Sequence, residues 1–169
     1  AKKKTRARRK PYMENTITIP SGLEGFTNTN TKKAPTVTDR MILIIDGKIR
    51  EREDDRVCPK CGCKMHVHDT YDVHLSHIPF GRTLSAVRFE KRRYICPECH
   101  ATSMQGVPFQ AGGHRITAPL YSYARDLLEL GLTNKNVSEL TGLCKNTVKD
   151  IDKERLLEKY TVDGKHLKK

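Results

Sequence analysis

Two pairs of cysteines are the residues of this sequence whose type and spacing best suit chemistry: Cys58-Pro59-Lys60-Cys61 and Cys96-Pro97-Glu98-Cys99. A C-x-x-C lets two thiolates reach one metal ion from a single tight turn. Four such sulfurs make a closed tetrahedral site, the arrangement of structural zinc, so Cys58, Cys61, Cys96 and Cys99 are the expected ligands and zinc the expected cofactor. Gly62 follows the first pair, where such turns favour a residue able to take positive φ; His100 takes that place after the second. Two disulfides and a redox-active C-x-x-C are the competing readings. The basic balance and the lack of a signal-peptide pattern weigh against the first. Duplication without a thioredoxin-like βαβ pattern weighs against the second.

The elements that would position these sulfurs are strands. Thirty-four residues separate the pairs, enough for a β-hairpin as in a zinc ribbon. Val73 and Leu75 share one strand face, Pro79-Phe80-Gly81-Arg82 makes a turn, and Val87 and Phe89 alternate with Arg88 and Glu90. Lys91-Arg92-Arg93 then leads through Tyr94-Ile95 to Cys96, bringing the second pair beside the first. Lys91, Arg92 and Arg93 are candidate phosphate contacts, or an ordinary solvated strand face. His66, His68, His74, His77 and His100 crowd the region, and Cys63 stands two residues from Cys61. A complete set of four cysteines leaves the five histidines as spectators, and Cys63 could replace a ligand, but Cys61 has the better spacing. No nucleophile–base pairing stands out, and no catalytic residue is expected.

After Gly112-Gly113 the apolar period changes from two to about 3.6. Thr117 can cap a helix with Pro119 in its first turn and Leu120, Tyr123, Ala124, Leu127 and Leu128 as its stripe; Gly131 stops it. Thr133 caps a shorter helix with Val137 and Leu140. Thr141-Gly142-Leu143 turns the chain into a third helix, from about Lys145 to about Tyr160, with Val148 and Ile151 inward. Val137, Leu143, Val148 and Ile151 occupy the inward positions of a helix-turn-helix, and Ser138 is small where the helices cross. Lys145, Asn146, Thr147, Lys149 and Lys153 are the candidate DNA-binding residues, placed to reach base edges and phosphates. Cys144 stands where Ser or Thr would ordinarily cap the helix. A structural three-helix core is the alternative.

The 169 residues are 36% hydrophobic and lack Trp, which argues for one or two small domains and for a metal that supplements a thin core. Formal net charge is +12; residues 1–10 hold seven basic side chains and no acid, leaving +5 on the rest. That excess points to a polyanion, most simply nucleic acid. The tail cannot fold alone and would add salt-sensitive, sequence-blind affinity; it also reads as a localisation signal or an added segment. Residues 11–40 are rich in Thr, Asn, Gly and Pro: Ile17-Thr18-Ile19 is a short alternating piece, and Pro20-Ser21-Gly22 and Thr27-Asn28-Thr29-Asn30 read as turn or loop. Met41-Ile42-Leu43-Ile44-Ile45 is a strand, and Asp46-Gly47 predicts a tight hairpin with Lys48-Ile49-Arg50 returning beside it. No apolar run is long enough to cross a membrane.

The order Cys-Pro-x-Cys-Gly, Ile78-Pro79-Phe80-Gly81-Arg82, Arg92-Arg93-Tyr94-Ile95-Cys96-Pro97-Glu98-Cys99, then Thr141-Gly142-Leu143-Cys144-Lys145-Asn146-Thr147-Val148 resembles the N-terminal part of ISL-type insertion-sequence transposases. The similarity spans roughly residues 38–160. It implies that a zinc segment and a helix-turn-helix together recognise terminal inverted repeats. In that family an RNase H-like catalytic domain with acidic metal ligands starts just after the helix-turn-helix, near Lys169 here. The expectation is therefore binding without strand transfer, whether the chain is part of a longer protein or a derivative. The expected fold class is α+β: a disordered basic tail and irregular segment (1–37), a small β-rich zinc ribbon (38–110) and a three-helix helix-turn-helix domain (111–169). The expected partner is double-stranded DNA at transposon-end inverted repeats, with a homodimer as one arrangement, no membrane contact, and a cytoplasmic, nucleoid-associated location. A transposase-derived transcription regulator and a zinc-ribbon protein that binds RNA are the rival functions.

Overall fold

Alternating apolar residues on two consecutive strands build the centre of the molecule. In the computed structural model, which describes residues 23–36 and 41–160, β3 (His66–Phe80) and β4 (Thr83–Ile95) form one long antiparallel hairpin closed by Gly81-Arg82, with Gly81 at φ 60°. The readings of the basic tail, of Ile17-Thr18-Ile19 and of Pro20-Ser21-Gly22 lie outside the described residues. β1 (Phe26–Pro35) and β2 (Met41–Ile49) complete a sheet of order β1-β2-β4-β3, and β5 (Thr102–Met104) pairs with the far end of β4. Three helices follow: α1 (Ala118–Glu129), α2 (Asn134–Thr141) and α3 (Lys145–Tyr160). The fold is α+β.

Two expectations are corrected in the first strands. Thr27-Asn28-Thr29-Asn30 is not a loop but part of β1, with a bulge between Asn28 and Asn30. Asp46-Gly47 is not a hairpin turn, because β2 runs straight through it, antiparallel to β1 and parallel to β4. Both edges of β2 are taken, which outweighs the local preference of Asp-Gly for a turn. Asp46 instead accepts from Arg88 Nε at 2.6 Å and pairs with Lys32 at 3.5 Å. Gly47 is required by packing: a Cβ there would fall 2.1 Å from the Phe26 ring. Phe26, Phe89 and Phe109 meet edge to face, with centroids 5.5–6.4 Å apart, over Leu23, Leu75 and Val87.

The helices bury a separate core of Ile116, Leu120, Ala124, Leu128, Val137, Leu143, Val148 and Ile151, each large side chain contributing about 1.5–3 kcal/mol. Tyr123 and Leu140, expected in the apolar stripes, are 37% and 51% exposed instead. The three helix starts are built differently. Thr133 Oγ1 caps α2 by accepting from Asn136 N at 3.3 Å. Cys144 Sγ caps α3, taking the Thr147 amide at 3.5 Å. Thr117 makes no side-chain cap, which corrects the expectation for α1: its hydroxyl faces inward to His77 of β3. Main-chain bonds between Ser76 and Arg115 and Thr117 fasten α1 to the sheet at the same point. Among the described residues, no helix is long and apolar enough to cross a membrane.

Candidate metal centre

Each cysteine pair sits at the tip of a short antiparallel turn, and the two turns repeat one another. In the first, Cys58 N donates to Cys63 O (2.9 Å) and Gly62 N to Cys58 O (2.9 Å). In the second, Cys96 N donates to Ala101 O (2.9 Å) and His100 N to Cys96 O (3.1 Å). The residue after each pair takes the left-handed conformation: Gly62 at φ 72° and His100 at φ 56°, the one non-glycine residue with positive φ among those described. The first turn is held by the Val57–Lys64 bridge, the second by pairing of β4 with β5. The base of the β3–β4 hairpin, where His66 pairs with Ile95, brings them together.

The four sulfurs consequently converge. Cys58 and Cys99 lie 3.5 Å apart, Cys61 and Cys96 3.4 Å, Cys61 and Cys99 3.5 Å, and all four fall within 4.8 Å of one another. Zinc–sulfur bonds of about 2.3 Å in a tetrahedron would set sulfurs about 3.8 Å apart, close to this arrangement. Cys58 and Cys96 are buried, Cys61 and Cys99 exposed, so a metal has an outer face through which to enter.

The electrostatics of the cluster call for a cation. The Cys61 and Lys60 amides aimed at Cys58 hold its thiol down at about 6, and the Cys99 and Glu98 amides lower that of Cys96. The Cys63 and Ala101 amides favour thiolates at Cys61 and Cys99, yet these thiols are pushed up, Cys61 by the Cys96 and Cys99 sulfurs, Cys99 chiefly by the Cys58 sulfur and burial. Two sulfurs ionise readily, and their charge disfavours the next two. A divalent ion removes that conflict and releases the remaining protons.

The remaining candidates are placed elsewhere. Among the described residues, none of the five histidines joins a group of three or more convergent ligands, and Cys63 Sγ reaches only Cys61 O at 3.9 Å. His66, His68, His74 and His100 are exposed and His77 is buried. Residues 54–99 match the family described as the zinc-finger of transposase IS204/IS1001/IS1096/IS1165. The four-sulfur cluster is a zinc site. The matched segment is less than half of the chain, and it contains all four ligands. No curated protein and no solved structure matches the chain.

The basic residues expected to meet DNA fall in two places. Lys145, Asn146, Lys149 and Lys153 are exposed on α3, with Thr147 half-buried and bonded to Cys144. Lys91, Arg92 and Arg93 are partly exposed on β4. Arg92 Nη1 donates to Glu51 Oε2 at 3.0 Å and Arg93 Nη1 to the Tyr71 hydroxyl at 2.8 Å. Glu51, one of several charged residues before Cys58, is a node. Its Oε1 accepts from Arg56 Nε (2.7 Å) and the Tyr94 hydroxyl (2.7 Å), its Oε2 from Arg56 Nη2 (2.8 Å) and Arg92. Arg56 above all, with Tyr94 and Arg92, holds the Glu51 carboxyl down at about 2 against the effect of burial. No periodicity or motif marks Glu51, because Tyr94 and Arg92 are more than forty residues away in sequence.

Proposed function

We propose that the chain is a zinc-stabilised module for sequence-specific binding of double-stranded DNA, of the kind with which a transposase recognises the inverted repeats at its element's ends. One observation carries the reading. α3 buries Val148 and Ile151 while Lys145, Asn146, Lys149 and Lys153 stand exposed on it. α2 and α3 are joined through Gly142 in the left-handed conformation at φ 73°, and Ser138 Oγ closes the connection onto Leu143 O at 2.6 Å. Two helices joined by so short a turn, the second polar and basic on its outer side, form a helix-turn-helix whose second helix enters the major groove. The match of residues 54–99 to a transposase zinc finger supports the assignment to transposition.

In this reading residues 38–110 form the zinc-ribbon unit and 111–169 the reading unit. Lys91, Arg92 and Arg93 serve the phosphate backbone, and two copies of the module on paired repeats is the natural stoichiometry. The module binds and does not itself cut. The test is selection of bound duplexes from a random pool at stated salt, with structured RNA as competitor. Enrichment of one duplex sequence that survives the competitor is expected. Recovery without sequence preference, or equal retention of RNA, overturns the reading in favour of a zinc-ribbon protein that binds RNA.

A further inference from the structure

The two cysteine turns have different chain neighbours, yet one carboxylate touches the approach to each. Arg56 stands two residues before Cys58, and Tyr94 stands two residues before Cys96. Glu51 Oε1 accepts from both, Arg56 Nε at 2.7 Å and the Tyr94 hydroxyl at 2.7 Å, while Oε2 takes the second Arg56 nitrogen and Arg92. Tyr94 is fully buried and packs in one cluster with Cys58, Cys96 and Met65. A neighbouring carboxylate repeats the connection: Asp55 Oδ2 accepts from Arg52 N at 3.1 Å and Oδ1 from Gly106 N at 3.0 Å, tying the approach to the first turn onto the chain that leaves β5. Glu51 lies outside the segment matched by the zinc-finger family.

We propose that Glu51 is a positioning residue of the zinc site: a clamp that holds the Cys58–Cys61 and Cys96–Cys99 turns at ligating distance before metal arrives. The inference rests on the zinc site and is independent of the DNA reading. Two of the four sulfurs are exposed at the rim, so beyond the base of the β3–β4 hairpin the metal-free turns need a further restraint. A carboxylate joining the two approaches, with the Tyr94 ring as its lever, supplies that restraint from the protein side. Loss of the clamp lets the metal-free turns separate, and zinc must then reassemble them. Partners beyond the ligands commonly change metal affinity 10–100-fold in this way.

The experiment measures zinc affinity and release by competition with a chromophoric chelator, using zinc alone as ligand, on the full chain and on Glu51→Gln, Tyr94→Phe and Ile45→Val. Ile45 is fully buried in β2, away from the cluster, and reports what a loss of general stability does. Cobalt(II) substitution reports the geometry through its thiolate absorption. Glu51→Gln and Tyr94→Phe are expected to bind zinc about 10–100-fold more weakly and to release it faster, with the tetrahedral cobalt spectrum retained, whereas Ile45→Val keeps wild-type zinc affinity. Should Glu51→Gln fail to fold, Tyr94→Phe, which removes one hydroxyl and leaves the ring packed, decides alone. Wild-type affinity and release in the variants, or an equal loss in Ile45→Val, overturns the clamp. A wild-type chain that binds no zinc overturns the site itself, a separate result.

Discussion

His77 Nδ1 of β3 lies 2.9 Å from the hydroxyl of Thr117, the residue before α1, and both side chains are buried. This pair sits where the sheet is fastened to the helices. Burial holds the His77 imidazole below its ordinary value. The unfolded chain takes up a proton at His77 as pH falls through about 6.5, and the folded chain resists it. His77 therefore favours folding fully above that pH and loses stability below it, by at most about 1.4 kcal/mol per pH unit. Denaturant midpoints measured at pH 7.5 and 5.5 should fall more in the wild type than in His77→Gln. Equal pH dependence in the two proteins would refute the assignment.

Removing the metal should loosen one end of the molecule selectively. Cys58→Ser takes away a zinc ligand, and structural zinc in small domains contributes about 10 kcal/mol or more. The expected outcome is loss of hydrogen-exchange protection around residues 56–66 and 92–104, while α1, α2 and α3, which pack on their own core, stay protected. Metal analysis of the wild type should give one zinc per chain.

The connection between α2 and α3 should tolerate little. Gly142 combines φ 73° with a tight fit, since a Cβ would lie 2.7 Å from the end of the Leu84 side chain. Gly142→Ala should destabilise by about 1–2 kcal/mol through the left-handed backbone, with a further cost if Leu84 cannot shift. Val148→Asp places a charge among Val137, Leu143 and Ile151 and should abolish the helical circular dichroism of the unit.

The DNA-reading role proposed for α3 makes separable predictions in a binding titration. Asn146→Ala should weaken the selected duplex by about 1–3 kcal/mol and leave non-specific binding nearly unchanged, because an amide can bond both groups on an adenine edge. Lys153→Ala, farther along α3, should weaken all duplexes alike and lower the salt slope by about one. If Asn146→Ala and Lys149→Ala leave affinity and selected sequence intact in a folded protein, the β4 segment Lys91-Arg92-Arg93 becomes the better reading surface.

What the sequence by itself determined depends on residues a few positions apart. A C-x-x-C followed by a residue able to take positive φ is a local geometry, so the four ligands and both turns were legible. The 3.6-residue period and Gly142 likewise place the three helices without reference to the rest of the fold. Tertiary structure alone decided what depends on distant partners. Asp46-Gly47 carries a strong turn signal, yet it lies inside a strand because Arg88, 42 residues on, pairs with Asp46, and because the Phe26 ring covers Gly47. Thr117 has the chemistry of a helix cap, and its hydroxyl went to a histidine 40 residues earlier. Glu51 reads as one charge among several until Tyr94, 43 residues away, places a hydroxyl on its carboxylate. Local preferences amount to about a kilocalorie per residue, and a buried ring or a paired charge from across the sheet outweighs them.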